Sequence, residues 1–388
     1  MRISMIELVS SHGGCNYYDY ALLRAFGKLG CETTLYTSCE LKFNTDSEKN
    51  INVKYTYNGL FDQKNKIKKL FVFLIKSLKT IREIRSSRAD IVHFQIYAVT
   101  FLEYFIVWLC KKNRLKVMVT VHDVESFNKE NSKFVTKRFY AKVDALIVHN
   151  KISYDTLVNY LISLNESKSL IDNTYIAHHG SYIGLLPSKI SKKQAKDKFN
   201  VPLDTFVFLF FGQIKRVKGL DILLEAYAKL LKNTEKNVTL LIAGKVWKDD
   251  ISTYEHLIEK NALNNNIILN IKYIPDEEIA DYYSVADCVV LPYKKIFQSG
   301  VLLMAQSYMV PVLVSDLQGM TEIVEDGNNG FVFHSEDEDN LAMKMKDVIE
   351  SNNLETIVNN AYNKLKSEYD WNLIAKQQLE IMEHLINE

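Results

Sequence analysis

Apolar residues in this chain follow two patterns that alternate along its length. Short unbroken runs, such as Phe206-Val207-Phe208-Leu209-Phe210-Phe211, carry no polar alternation and predict strands buried on both faces of a parallel sheet. Between such runs apolar positions recur at helical spacing, as in Leu220, Leu223, Leu224, Tyr227 and Leu230. In the first half the pattern predicts strands over 3–9, 31–36, 89–94, 116–123, 145–149 and 175–180, and helices over 18–29 and 101–112. The second half repeats the alternation, with strands over 206–211, 238–243, 267–271, 288–292 and 311–314. Residues 44–58 are polar and mixed and read as a connection. Residues 185–201, with Pro187 inside and Pro202 just beyond, read as a linker region. Two blocks of strand–helix alternation predict an α/β chain of two Rossmann-like domains, over 1–184 and 200–370, with a last helix over 371–388.

Two loops in the second block concentrate the candidate chemistry. Between the strands at 288–292 and 311–314, Val301, Met304, Ala305 and Tyr308 form one apolar helical stripe, and the helix opens at Ser299-Gly300. Serine is a favoured N-cap and glycine lets a ligand come close, so the free amides there form an anion site. Past the strand at 206–211, Gly212 leads into Lys215, Arg216 and Lys218, then Gly219. Cations packed this closely repel one another unless an anion lies between them, which weighs against a plain solubility patch. In the first block, Gly13-Gly14 follows the first strand, a place where α/β sheets bind phosphate or sugar, although many such turns are only tight turns. His122-Asp123 ends the strand at 116–123. It reads either as an imidazole offered to a ligand with Asp123 setting its tautomer, or as a loop histidine capping a neighbour. His93 and His149 are assigned to structure. The acidic run 336–339 reads as a helix cap rather than a metal motif.

The runs from Ser299 to Asp316 and from Gly319 to Phe333 resemble the donor-binding segment of GT-B glycosyltransferases, specifically glycosyltransferase family 4. The resemblance implies two Rossmann-like domains facing each other across a deep cleft, with the last helix crossing back to the first domain. It implies that Gln298, Ser299, Gly300 and Val301 hold the diphosphate and sugar of a nucleotide-sugar. Gly212, Lys218 and Gly219 match a family element in register, with Gln213 where arginine is usual; Lys215 matches a basic position of one branch. That branch carries Gln-Ser-Gly at the donor loop. Most of the family has glutamates where this chain has Ile296 and Met304. By the same resemblance Gly13 and Gly14 border donor or acceptor, and His122 with Asp123 lies beside the donor sugar. Glu322 contacts the ribose or else caps a helix start.

Composition narrows the picture a little further. Lysine plus arginine is 48 against 47 acidic residues, so nothing points to nucleic acid. Five scattered cysteines make no metal-ligand spacing and suggest reduced thiols in a cytoplasmic setting. The N-terminal apolar run is too short for a signal peptide, and no run has the length of a membrane span. Residues 61–90 carry nine cations against three carboxylates. Among them Ile67, Leu70, Phe71, Leu74, Leu78 and Ile81 recur at helical spacing, giving either a surface helix packed on the sheet or a basic face resting on anionic lipid. With the resemblance, the sequence reads as a retaining, metal-independent glycosyltransferase with no cofactor beyond its nucleotide-diphosphate sugar. Its acceptor is a glycan or lipid-linked sugar of cell-surface polysaccharide synthesis. Two readings compete: an epimerase or hydrolase on the same fold, and a non-catalytic nucleotide-sugar-binding subunit, which the missing glutamates favour.

Overall fold

The computed structural model describes residues 1–8, 15–38, 41, 43, 48, 50–124 and 133–387; the predicted Gly13-Gly14 turn lies outside them. The chain divides into two compact units, Met1–Gly180 with Tyr369–Glu388, and Ser181–Glu368.

The first unit runs β1 (Arg2–Glu7), α1 (Cys15–Lys28), β2 (Glu32–Thr37), β3 (Ile51–Lys54), α2 (Lys66–Ser86), β4 (Ile91–Ile96) and α3 (Phe101–Lys112). It continues with β5 (Lys116–Val121), α4 (Lys133–Tyr140), β6 (Ala145–Val148), α5 (Lys151–Ser163), α6 (Lys168–Asp172) and β7 (Thr174–Ile176). The second unit holds α7 (Lys192–Lys198), β8 (Phe206–Phe211), α8 (Leu220–Lys232), β9 (Val238–Ala243), α9 (Ile251–Lys260), β10 (Ile267–Asn270) and α10 (Asp276–Val285). There follow β11 (Cys288–Leu291), α11 (Gly300–Ser307), β12 (Val312–Ser315), α12 (Gln318–Thr321), β13 (Phe331–Phe333), α13 (Glu338–Glu350) and α14 (Leu354–Glu368). The chain then returns to the first unit as α15 (Trp371–Asn387).

Both sheets are parallel throughout, in the orders β3-β2-β1-β4-β5-β6-β7 and β10-β9-β8-β11-β12-β13. Strand order turns back at β1/β4 in one and at β8/β11 in the other. Beyond the carboxyl ends of such strand pairs lie the ligand crevices of open α/β sheets. The unbroken apolar runs are buried as expected: every residue of β4, β6, β11 and β12 is shielded. Helix α8 buries its predicted stripe, and its Tyr227 hydroxyl donates to the carbonyl of Val238 at 3.0 Å or Asn266 at 2.9 Å. Cys31, Cys110 and Cys288 are buried free thiols. No helix among the described residues is long and apolar enough to cross a membrane.

Four expectations change. The polar stretch 44–58 supplies strand β3, whose half-buried edge position hides the apolar signature of an inner strand. The supposed linker contains α7, opened by a Ser191–Gln194 capping box and packed on α10. The boundary lies at residue 180 rather than 184, since the Tyr182 amide donates to Ser307 Oγ at 3.0 Å within the second unit. Finally, of the expected stripe α2 buries Ile81 and half-buries Leu74; its buried residues are Phe73, Ser77, Thr80, Ile81 and Ile84.

α15 is fastened to the first unit at its start. The Trp371 indole stands edge-on to Tyr18 at 5.0 Å and 5.9 Å from His179. It also fills the space above Gly180, where a Cβ would meet Trp371 Cε2 at 2.2 Å. Trp371→Ala should therefore loosen α1 and α15 by about 3–5 kcal/mol. Amide exchange should accelerate in those two helices while residues 205–365 keep their protection; unchanged exchange in α15 contradicts this docking.

Candidate functional site

In the second unit two turns meet beyond the carboxyl ends of β8 and β11. Gly212 closes β8 at φ +107°, and a Cβ there would stand 3.3 Å from Val301 Cγ2 in the first turn of α11. Residues Arg216–Lys218 then form one 3₁₀ turn, closed by Gly219 in the left-handed conformation at φ +68°. A Cβ on Gly219 would lie 1.8 Å from the Pro292 carbonyl oxygen, so both backbone conformation and space demand glycine. Further bonds hold the turns together. The Lys294 amide donates to the Val217 carbonyl at 2.9 Å, and Lys294 Nζ pairs with Asp221 at 2.6 Å.

Across this seam Lys218 Nζ sits 3.6 Å from the centroid of the Tyr293 ring. Lys218 is half-buried, with its ammonium drawn over the ring face, and desolvation pulls its pKa down to about 7. Tyr293 is itself buried, which raises its phenol. Buried Ser299 caps α11 by accepting from the Leu302 amide at 3.3 Å. The amides of Gly300 and Val301 are left at the open end of the helix, where the helix dipole favours an anion.

The structure thus brings Gly212, Lys218, Ser299, Gly300 and Val301 to one edge of one sheet. Lys215 opens the 3₁₀ turn and Gln298 precedes the cap, both half-buried. The loop before the cap leans on α12, because a Cβ on Gly319 would lie 2.4 Å from the Phe297 carbonyl oxygen. Glu322 is the C-cap of α12 and accepts from Gln318 Nε2 at 3.2 Å; it does not cap a helix start. The sequence reading missed Tyr293 and Lys294. Their signal was position alone: Pro292-Tyr293-Lys294 directly follows a buried strand.

In the first unit the strand ends carry a cluster of buried and half-buried rings. Tyr97, His122 and His149 follow β4, β5 and β6, and His178 and His179 lie just past β7. Tyr97 stacks on His122 at 4.6 Å, and Tyr18 of α1 stands edge-on to His122 at 4.7 Å. Both nitrogens of His122 are engaged: Nε2 lies 2.9 Å from Gln95 Oε1 and Nδ1 lies 3.1 Å from His149 Nε2. His149 Nδ1 faces the Ala177 carbonyl at 2.9 Å. A carbonyl only accepts, so His149 carries its hydrogen on Nδ1, and when neutral it accepts at Nε2 from His122 Nδ1–H. The group that sets the His122 tautomer is therefore His149 and not Asp123, whose side chain is exposed. His122 Nε2 is then a lone pair, which the Gln95 amide satisfies by a half-turn that presents its nitrogen.

Burial governs the charge of this cluster. Desolvation, with His149, His179 and His93 alongside, holds His122 well below its ordinary value of 6.5. His149 and His93 are pushed down to about 3 and His179 to about 4, each mainly by burial.

Comparison with known proteins bears on both units. A profile of glycosyl transferases group 1 matches residues 191–364, and a profile of glycosyltransferase family 4 matches residues 12–166. A D-inositol 3-phosphate glycosyltransferase of Streptosporangium roseum is 22% identical over 372 residues, covering 87% of this chain and 83% of its own. Among solved structures, a sucrose-phosphate synthase from Thermosynechococcus elongatus superposes with a TM-score of 0.75 at 18% identity, covering 100% of this chain and 99% of that one. Anabaena HepE, solved in complex with UDP-glucose, gives a TM-score of 0.73 at 17% identity over 99% of this chain and 100% of its own.

The histidine cluster predicts how stability depends on pH. Folded His93, His149 and His179 stay neutral down to about 3 or 4, whereas the unfolded chain protonates them from 6.5 downward. Their stabilising contribution is therefore complete above pH 6.5 and declines as pH falls, by about 1.4 kcal/mol per pH unit for each histidine. Denaturation of the first unit between pH 7 and 4 measures this slope. His149→Gln should lower the slope by about one proton's worth; an identical slope in parent and variant contradicts the assignment.

Proposed function

The chain belongs to the family 4 type of glycosyltransferases with the GT-B fold, and on that premise we propose that it moves a sugar from a nucleotide-diphosphate donor to a glycan or lipid-linked acceptor in cell-surface polysaccharide synthesis, with retention of configuration. The observation that carries the donor assignment is the seam in the second unit, where the Lys218 ammonium, the capped start of α11 and two glycine turns share one edge. Such an edge accepts a dianion, and a structural neighbour solved in complex with UDP-glucose supports that donor class. Because nucleotide-sugars are made in the cytoplasm, the reading places the enzyme there.

In this reading the amides of Gly300 and Val301, with Lys218 and Lys215, hold the leaving diphosphate. They neutralise charge as the glycosidic bond breaks, the work given elsewhere to a divalent ion. Glu322 lies toward the ribose, and Gln298 toward the sugar hydroxyls. The departing phosphate deprotonates the acceptor from the same face of the sugar, which gives retention. His122, locked neutral with both ring nitrogens engaged by Gln95 and His149, offers a sugar no hydrogen bond and shuttles no proton; it braces the strand end that carries Asp123. Ile296 and Met304, standing where most of the family carries glutamates, favour a second reading: a subunit that binds a nucleotide-sugar without turning it over. A panel of nucleotide-sugars, with and without acceptor, separates these two and an epimerase or hydrolase by release of nucleoside diphosphate. Transfer gives release that rises with acceptor; an epimerase or hydrolase acts without acceptor, and a binding subunit gives no release.

Two measurements test the seam. Lys218→Ala should weaken nucleoside-diphosphate binding about ten- to a hundredfold, the worth of one charge-assisted hydrogen bond; unchanged affinity removes Lys218 from the site. In the parent protein, ligand binding should take up a proton, because a bound anion raises a lysine whose pKa starts near 7. Affinity should thus fall as pH rises above 7, by up to about tenfold per unit. Titration calorimetry in buffers of different ionisation enthalpy reads the uptake, and zero uptake at pH 8 contradicts it.

A further inference from the structure

Helix α2 is patterned the wrong way round for a helix that only packs on a sheet. Toward the core it turns Ser77 and Thr80 together with Phe73, Ile81 and Ile84. To solvent it turns Ile67, Phe71, Ile75 and Leu78, which are 81%, 65%, 53% and 49% exposed. Those four positions are spaced four, four and three apart, so they make one continuous stripe, roughly a third of a turn from the buried face. Scattered exposed apolar side chains are ordinary; a stripe along the first three turns of one helix marks a surface that something covers. Phe101, at the start of neighbouring α3, is also half exposed.

The charges beside the stripe say what covers it. Helix α2 carries seven basic residues and one acid, Glu83, which is paired with Lys54 at 2.7 Å. Lys68, Lys79 and Arg82 continue from the apolar stripe on the solvent side, and Lys69 Nζ lies 4.3 Å from the exposed Phe61 ring. We propose that this face of α2 docks on an anionic lipid bilayer, with Ile67, Phe71, Ile75 and Leu78 entering the boundary between head groups and acyl chains and the flanking cations lying among the head groups. A second copy of the chain fits poorly. A two-fold interface sets the same patch against itself, and here that brings Lys68, Lys79 and Arg82 against the same three. The inference goes beyond the glycosyl-transfer reading and rests on none of the residues at the β8–β11 seam.

Co-sedimentation of the full chain with vesicles tests it. Phosphatidylcholine alone is compared with phosphatidylcholine mixed with phosphatidylglycerol, and nucleotide binding serves as the control for folding. The parent should partition to the anionic vesicles on the order of tenfold better than to the neutral ones. Phe71→Ser with Ile75→Ser, at exposed positions, should reduce that binding by about tenfold or more while nucleotide affinity is kept. Lys68→Glu with Lys79→Glu should lower it comparably. Equal partition to both vesicle types overturns the proposal, as does a double serine variant that binds as the parent does. A lipid-free dimer that the serine substitutions dissolve would assign the face to a second copy instead. Loss of nucleotide turnover with vesicle binding intact would count against the transferase reading and leave this one standing.

Discussion

The Pro292 carbonyl occupies the space where a side chain on residue 219 would stand. Most of the candidate chemistry depends on that contact. Because residue 219 is glycine and left-handed, the turn after β8 can lie directly on the turn after β11. Lys218 is thereby carried over the Tyr293 ring. A bulkier residue would lift the cation away from the helix start and separate the two sources of positive potential. The parallel order of the sheet makes the contact possible, since β8 and β11 are neighbours on which the strand order reverses.

Much of this was legible in the sequence, for identifiable reasons. Unbroken apolar runs such as 206–211 and 288–291 have few conformations open to them other than an inner parallel strand. Ser299-Gly300 announces a helix start by cap chemistry alone, and Gly212, Lys218 and Gly219 stand out as glycines bracketing cations. What stayed hidden was pairing in space. Nothing in the spacing says that Tyr293 receives Lys218, or that Lys294 reaches Asp221 across 73 residues. Strand β3 escaped because an edge strand needs little apolar character, and α7 because its signal was a capping box inside a lysine-rich stretch.

The first unit shows a different limit. Periodicity gives the strands but not the polar side chains between them, and β4 buries His93 and Gln95 within an otherwise apolar sheet. His93 meets Thr120 of β5 at 2.8 Å, while Gln95 lies 3.2 Å from His93 on its own strand and 2.9 Å from His122 past β5. The adjacency of Asp123 to His122 suggested a tautomer partner that folding replaces with a residue 27 positions away. Helix α2 shows the converse. Its sequence holds apolar residues enough for two faces, and only packing decides which face the protein uses and which it leaves outward.

The central claim is that the cation after β8 and the helix start after β11 grip one and the same anion. A double-mutant cycle on Lys218→Ala and Ser299→Ala, read as nucleoside-diphosphate affinity by calorimetry, tests it directly. The account predicts that the two losses are coupled, with an interaction energy of about 0.5–3 kcal/mol. Losses that add to within about 0.3–0.5 kcal/mol would show two independent sites and contradict it.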